Sequence, residues 1–425
     1  MFLLYNLLLT LTFPIWGAWM WWRTRQRKEA PNWTERTGNY NLPKRGDRRR
    51  VWIHAVSVGE VVAALSILRE VRKALPKHEI VLSVTTSSGH QTARERAEGL
   101  YDHLVYFPVD VARFQLAAMQ RVRPDVVAIM ETELWMNFLW AAKTFGAETL
   151  LINGRISDRS YPRSMKLRAF YRALLSEVDR CLMQTTTDAQ RIRDLGAKHA
   201  EVLGNCKFDQ ALEGRDADAA EWRAELGLEA SRPVVVVGSI RHEEFDLLAA
   251  AIFAVREDVQ WVIAPRHVER ATALVESIRG AANRPFPMSS RVADGRLGGE
   301  GILILDSYGE LAKVYAVADV VVIGGGFANL GGQNLLQPLA HGHPIVHGPH
   351  MQNFRDVAAM AEAAGATRVA ATAAELAAAV NALLSDRQAR EQMGAAGKSL
   401  VSANVGASAR YAKAIAEAVK RTKAK

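Results

Sequence analysis

Two short segments place carboxylates where a strand gives way to a helix. His54-Ala55-Val56-Ser57-Val58-Gly59-Glu60 follows the β-branched run 51–55 and opens a stretch whose Val61, Val62, Leu65, Leu68 and Leu75 recur at helical spacing. Glu60 thus stands at a strand's carboxyl end and in a helix's first turn. There the helix dipole favours the ionised form by a few tenths to about 1 kcal/mol, which leaves it available as a general base. A first-turn acidic residue without chemistry would look the same. Glu131-Thr132-Glu133-Leu134-Trp135 repeats the placement after the run 126–130, and of its two acids Glu133 suits helix capping better than Glu131. Gly204-Asn205-Cys206-Lys207-Phe208-Asp209 ends the first half, where Lys207 could neutralise a phosphate or carboxylate, or be solvated.

In the second half, Pro265-Arg266-His267-Val268-Glu269-Arg270 follows a strand-like run, so Arg266 and His267 project from its end, while Glu269 and Arg270 fall on the next helix. Arginine offers a planar fork to phosphate oxygens. Gly324-Gly325-Gly326 and Gly331-Gly332 bracket a loop in which glycine lets backbone approach a ligand and free N–H groups suit a phosphate. No G-x-G-x-x-G follows a first strand and no Walker lysine is present, against dinucleotide and P-loop chemistry. Arg155, Arg159, Arg163, Lys166, Arg168 and Arg172 form a basic stretch, either a solvated helix face or a contact for lipid headgroups or a phosphorylated glycolipid.

The elements that position these residues alternate. Strand-like runs at 51–55, 80–85, 126–130, 149–153, 181–185 and 201–204 interleave with helical stretches, as do 234–238, 261–265, 302–305, 320–323 and 344–347. This is the pattern of βαβ units around buried parallel sheets. At 425 residues the chain has material for two cores, since single cores stop growing near about 250 to 300 residues. The expected parts are an anchor at 1–22, a Rossmann-like acceptor domain at 30–210, an acidic, Ala-rich connector at 211–232, a Rossmann-like nucleotide-sugar domain at 233–406 and a closing helix at 407–425. Two such domains in series place a site in the cleft between them, where strand ends meet helix starts.

No charged residue stands between Phe2 and Trp22, and at about 1.5 Å per residue this apolar run reaches roughly 30 Å. Trp16, Trp19, Trp21 and Trp22 gather at its end, followed by Arg23, Arg25, Arg27 and Lys28. The expectation is an uncleaved single-pass anchor with the bulk of the chain in the cytoplasm. Asn6 and Pro14 weaken the span and leave a helix lying in the interface as the alternative. The formal charge is +9, and Lys44, Arg45, Arg48, Arg49 and Arg50 add to a basic stripe suited to an anionic membrane surface. Nucleic acid is not an expected partner, since no nucleic-acid-binding motif appears. Cys181 and Cys206 have neither C-x-x-C spacing nor a histidine cluster nearby, so reduced thiols and no metal are expected.

In order and over nearly the whole chain, the blocks at 54–60, 131–137, 153–157, 204–209, 265–270, 309–311 and 324–338 resemble those of the 3-deoxy-D-manno-octulosonic acid (Kdo) transferases of lipopolysaccharide synthesis. The resemblance implies the GT-B fold, two doubly wound domains facing across a cleft. It also implies an inverting transfer of Kdo from CMP-Kdo to a lipid A precursor at the cytoplasmic face of the inner membrane, without cofactor or metal. By the same resemblance Glu60 is the proton acceptor and Glu131 and Lys207 flank the reacting centre, while Arg266, His267, Gly309, Glu310, Leu311, Asn334, Leu335, Leu336 and Gln337 hold CMP. Three positions depart from the family pattern. Met136 replaces a proline, Gly238-Ser239 is followed by Ile240-Arg241-His242-Glu243-Glu244 instead of Thr-His-Glu-Gly-Glu, and Gln337 replaces a glutamate. A relative using another nucleotide sugar or lipid acceptor, and a catalytically silent membrane-surface protein, are the competing readings.

Overall fold

The computed structural model describes residues 1–26, 32–212, 214–282, 286–298 and 301–422. The chain forms two compact units, Met1–Asp209 with Val405–Lys425, and Gln210–Asn404.

The first unit carries seven parallel strands, β1 (Arg50–Ala55), β2 (Glu79–Val84), β3 (His103–Tyr106), β4 (Val126–Met130), β5 (Glu148–Gly154), β6 (Arg180–Met183) and β7 (Ala200–Val202), in the order β3-β2-β1-β4-β5-β6-β7. Every residue of β1, β2 and β4 is buried, because helices cover both faces. Val51, Ile53 and Ala55 pack on Leu65, Leu68 and Val71 of the Val58–Ala74 helix and on Tyr411 and Ile415 of the C-terminal helix Ala407–Arg421. Trp52 faces the other layer with Val122 and Phe138. The C-terminal helix thus belongs to the first unit, and Asp209 accepts the N–H groups of Gly406 and Ser408 at its start.

The second unit repeats the scheme with β8 (Val234–Ile240), β9 (Gln260–Pro265), β10 (Met288–Ser290), β11 (Ile302–Ile304), β12 (Val320–Ile323), β13 (Ile345–His347) and β14 (Thr367–Val369), in the order β10-β11-β9-β8-β12-β13-β14. The acidic stretch expected as a connector instead packs into this unit. Leu226 and Leu228 are buried, and Arg223 bonds the Val317 carbonyl and the Asp319 carboxylate. Both cysteines are buried and free.

Phe2–Gln26 forms one helix of 25 residues, but among the described residues no helix is long and apolar enough to cross a membrane. A spanning anchor is accordingly not shown, and the first turns of the helix are bonded to the rest of the first unit. Tyr5 Oη donates to Asp110 at 2.8 Å, Asn6 Nδ2 donates to Asn137 Oδ1 at 2.8 Å, and Phe2 packs tilted on Trp140 with ring centroids 4.6 Å apart. One face of the helix is thereby tied to the first unit, while Leu3, Leu4, Leu7, Leu8 and Leu11 on the other face are exposed. Trp16, Trp19 and Trp21 have side chains outside the described set; Trp22 is exposed.

Candidate active site

Open parallel sheets bind ligands at the carboxyl edge where the strand order reverses. In the first unit that point lies between β1 and β4, which pair with His54 opposite Ile129. Glu60 and Glu131 both leave from this edge, as the sequence placed them. The Val58–Ala74 helix begins after Ser57, whose side chain makes no capping bond, and Glu60 Oε2 instead accepts the Val56 N–H at 2.8 Å. Burial pushes the Glu60 carboxyl up to about 7; the Glu131 and Glu133 charges add to the rise, and the Val56 N–H and Arg155 oppose it. A carboxyl poised near neutrality is matched to general-base work at physiological pH.

Glu131 has φ +56° in the left-handed region, a conformation that costs a non-glycine residue of order 1 kcal/mol or more, and its N–H is bonded to the Ile152 carbonyl at 3.0 Å. Its carboxylate, in a residue only 8% exposed, lies between Arg155 Nε at 3.2 Å and Lys207 Nζ at 3.7 Å. Two cations thus compensate a buried anion, as burial of charge requires. Lys207 is positioned by its own loop, where Asn205 Oδ1 accepts the Lys207 N–H at 3.0 Å and Asn153 Oδ1 accepts the Cys206 N–H at 3.1 Å. Burial, then the charge of Glu131, raises the Glu133 carboxyl, whose side chain makes no helix cap; the Met136–Thr144 helix starts after Trp135.

Arg155, expected in the basic stretch, therefore serves Glu131. Its neighbours divide. Arg168 donates to the Asp194 carbonyl, while Arg159 and Arg163 line a cavity of about 450 Å³ with Ser160, Leu167 and Tyr171. His54 stacks on Phe107 at 3.8 Å and donates or accepts through Nδ1 at Ser83; burial lowers it to about 3, so it stays neutral and structural.

The remaining expected residues lie in the second unit. Arg266 and His267 are exposed just past β9, with the Arg266 N–H on the Ile240 carbonyl at 2.8 Å and His267 Nδ1 3.4 Å from Glu269. Gly309 is at φ +85°, ahead of the short Leu311–Val314 helix. The Glu310 carboxylate is engaged by Arg291 at 2.8 Å and by the Ser307 hydroxyl, and Arg291 holds it below the ordinary carboxylate range. Glu310 can therefore meet a ligand through its backbone more readily than through its carboxylate. Asn334 Oδ1 accepts the Leu336 N–H at 2.9 Å. Leu335 and Leu336 are buried and can offer a nucleotide only backbone groups, whereas Gln337, in the first turn of the Leu336–His341 helix, is half-buried and its side chain has no hydrogen-bond partner among the described residues.

The glycine loop differs from expectation in what comes close to it. A Cβ on Gly324 would lie 2.5 Å from the Ile240 Cα and one on Gly348 2.1 Å from the Gly326 backbone, so the close approach is between protein backbones. Several of its N–H groups are taken by the protein itself. Glu244, 1% exposed, accepts from Gly325 at 2.6 Å and Arg241 at 3.0 Å through Oε2, and from Phe327 at 2.9 Å and Ala328 at 3.2 Å through Oε1. The Gly332 N–H is bonded to the Gly325 carbonyl. In the sequence Glu244 stands out only as part of an altered motif; a glutamate four residues after a strand's end and three after the N-cap Arg241, in capping-box position, is the available signal. Among the described residues no group of three or more His, Cys, Asp or Glu side chains could hold a metal ion.

Two seven-stranded parallel sheets place the chain in the class of two-unit α/β proteins, and Acinetobacter baumannii MurG shares the fold with a TM-score of 0.56 at 12% identity, over 88% of this chain and 99% of its own. A family model for 3-deoxy-D-manno-octulosonic-acid transferase matches residues 31–210. The 3-deoxy-D-manno-octulosonic acid transferase of Bordetella pertussis is 31% identical over 96% of this chain and 96% of its own length. A bifunctional glycosyltransferase/methyltransferase of Fusobacterium nucleatum is 31% identical over 73% of this chain, which spans only 49% of that longer protein. The chain belongs to the 3-deoxy-D-manno-octulosonic acid transferase family, as the ordered motifs implied.

Proposed function

We propose that this chain transfers Kdo from CMP-Kdo to a lipid A precursor with inversion, and that Glu60 is the base. The observation that carries the reading is the carboxyl of Glu60, held near neutrality beside a buried Glu131 that is flanked by Lys207 and Arg155. In a single displacement the acceptor hydroxyl oxygen forms its bond to the anomeric carbon as the bond from that carbon to the phosphate oxygen breaks. The hydroxyl proton passes to Glu60, and CMP leaves with the bonding electrons. Lys207 and Arg155 supply positive charge near the reacting centre for the acidic sugar, and Glu131 holds both in place. In the second unit Arg266 and His267 are the groups for the phosphate, and the backbone of Gly309, Glu310 and Leu311 with the segment Asn334 to Gln337 is the seat of the nucleoside. No metal takes part in this scheme.

The acceptor is a lipid, and two features of the first unit suit it. The exposed row Leu3, Leu4, Leu7, Leu8 and Leu11 forms an apolar ridge that would lie in the membrane interface rather than across it. Arg159 and Arg163 line a cavity with hydroxyl and apolar walls, fitted to an anionic headgroup. The location is accordingly the cytoplasmic face of the inner membrane.

Mass spectrometry of a lipid A precursor incubated with CMP-Kdo and the purified protein tests the reading. Mass gain by Kdo with release of CMP is expected. Release of UDP from a UDP-sugar, with none of CMP from CMP-Kdo, would refute it in favour of a relative with another donor.

A further inference from the structure

The second sheet has its own reversal of strand order, between β8 and β12, and Glu244 sits there. The carboxyl ends of these strands lead into Arg241 and into Gly324 to Ala328, and from these two segments four backbone N–H groups converge on one buried carboxylate. Converging backbone N–H groups at such a point form a nest for anions, and sheets of this kind commonly hold ligand phosphate there. Here the nest already contains an anion, and it is part of the chain. Among the described residues no cation pairs with Glu244, so its negative charge is balanced by amide dipoles alone.

From this occupancy we infer that Glu244 is a specificity-determining residue: it fills the anion nest of the second unit and so selects nucleoside monophosphate donors against diphosphates. The inference rests on the donor reading above and adds what sets it. A monophosphate needs one set of hydrogen-bonding partners, and Arg266 and His267 past the neighbouring strand β9 provide it. A second phosphate directed at the glycine loop would find the N–H donors of Gly325, Phe327 and Ala328 taken and a like charge in their place. Specificity is a difference of affinities, and an unpaired charge set against the wrong ligand is an effective way to build it.

The test is calorimetric titration of CMP and of CDP onto the full chain, in wild type and in Glu244→Gln and Glu244→Asp variants whose folding is checked by thermal melting. Wild type should bind CMP at least about tenfold more tightly than CDP, a difference of the size one like-charge contact commonly produces. Glu244→Gln should reduce that preference to about threefold or less with CMP affinity within about threefold of wild type, while Glu244→Asp, which keeps the charge, should retain it. CDP bound by wild type as tightly as CMP would overturn the inference, and so would an unchanged preference in folded Glu244→Gln. If Glu244→Gln does not fold, the wild-type ratio decides alone. Should neither cytidine nucleotide bind, the donor reading fails, and the same comparison with UMP and UDP still decides the role of Glu244.

Discussion

Replacing Glu60 by glutamine should make the protein less active and more stable, and the two effects should share one pH dependence. The carboxyl titrates at about 7 in the folded chain against an ordinary 4.5, because burial disfavours its charge. The folded state therefore holds this proton to higher pH than the unfolded state. The cost of ionising Glu60 is absent well below pH 4.5, grows between 4.5 and 7, and is complete above that. At about 1.36 kcal/mol per pH unit it amounts to about 1 kcal/mol at pH 5 and about 3 kcal/mol at pH 8. Glutamine stays neutral and can still accept the Val56 N–H. Urea denaturation of both proteins should therefore show Glu60→Gln ahead by about 3 kcal/mol at pH 8 and by about 1 kcal/mol or less at pH 5. In the same pH range the wild-type base goes from about 9% to about 91% ionised between pH 6 and 8, so kcat/KM should rise about tenfold. Turnover of the variant should fall about a hundredfold or more, with CMP affinity kept. A stability difference that is equal at both pH values, or wild-type activity that is flat from pH 6 to 8, would refute the assignment of a buried, proton-holding Glu60.

Gln337→Glu should tighten CMP by about fivefold in titration, since a carboxylate can accept from both ribose hydroxyls and the wild-type amide has no partner among the described residues to lose; turnover at saturating donor should not change. Lys207→Met should lower kcat at least about tenfold with donor affinity little changed, because Glu131 is left with Arg155 alone; a larger loss in KM than in kcat would count against it. Leu4→Glu with Leu8→Glu should cut co-sedimentation with anionic vesicles several-fold while leaving CMP binding intact. A chelator in excess should leave turnover unchanged, and loss restored by a divalent ion would require a metal in the mechanism.

The central strands were readable because burial on both faces writes them as continuous β-branched runs, as in β1, β4, β8 and β12. The edge strands β3, β10 and β14 were not, being three or four residues long, partly exposed and mixed in composition. That Glu60 and Glu131 share one sheet edge followed from two runs ending in acids. That Arg155 joins them did not, because it depends on β5 lying beside β4, a pairing of distant segments. The glycine run announced that something must come near the backbone, but the composition could not say that it would be Ile240 and Gly348 rather than a ligand.

The bond between Asp209 and the start of the C-terminal helix has a consequence for how the protein is made. Asp209 is the last residue of the first unit before the chain departs, and Gly406 and Ser408 are among the first after it returns, so the second unit is in effect an insertion whose two ends are pinned together. A ribosome that has just released residue 209 has delivered a first unit whose β1 layer still lacks Tyr411 and Ile415. That face stays open to water while nearly two hundred further residues emerge and fold. The nascent first unit thus presents an apolar surface for chaperones to cover until translation ends. By the same logic an excised first unit would be made more faithfully by splicing residue 209 to residue 405 through a short linker than by stopping the chain at 209.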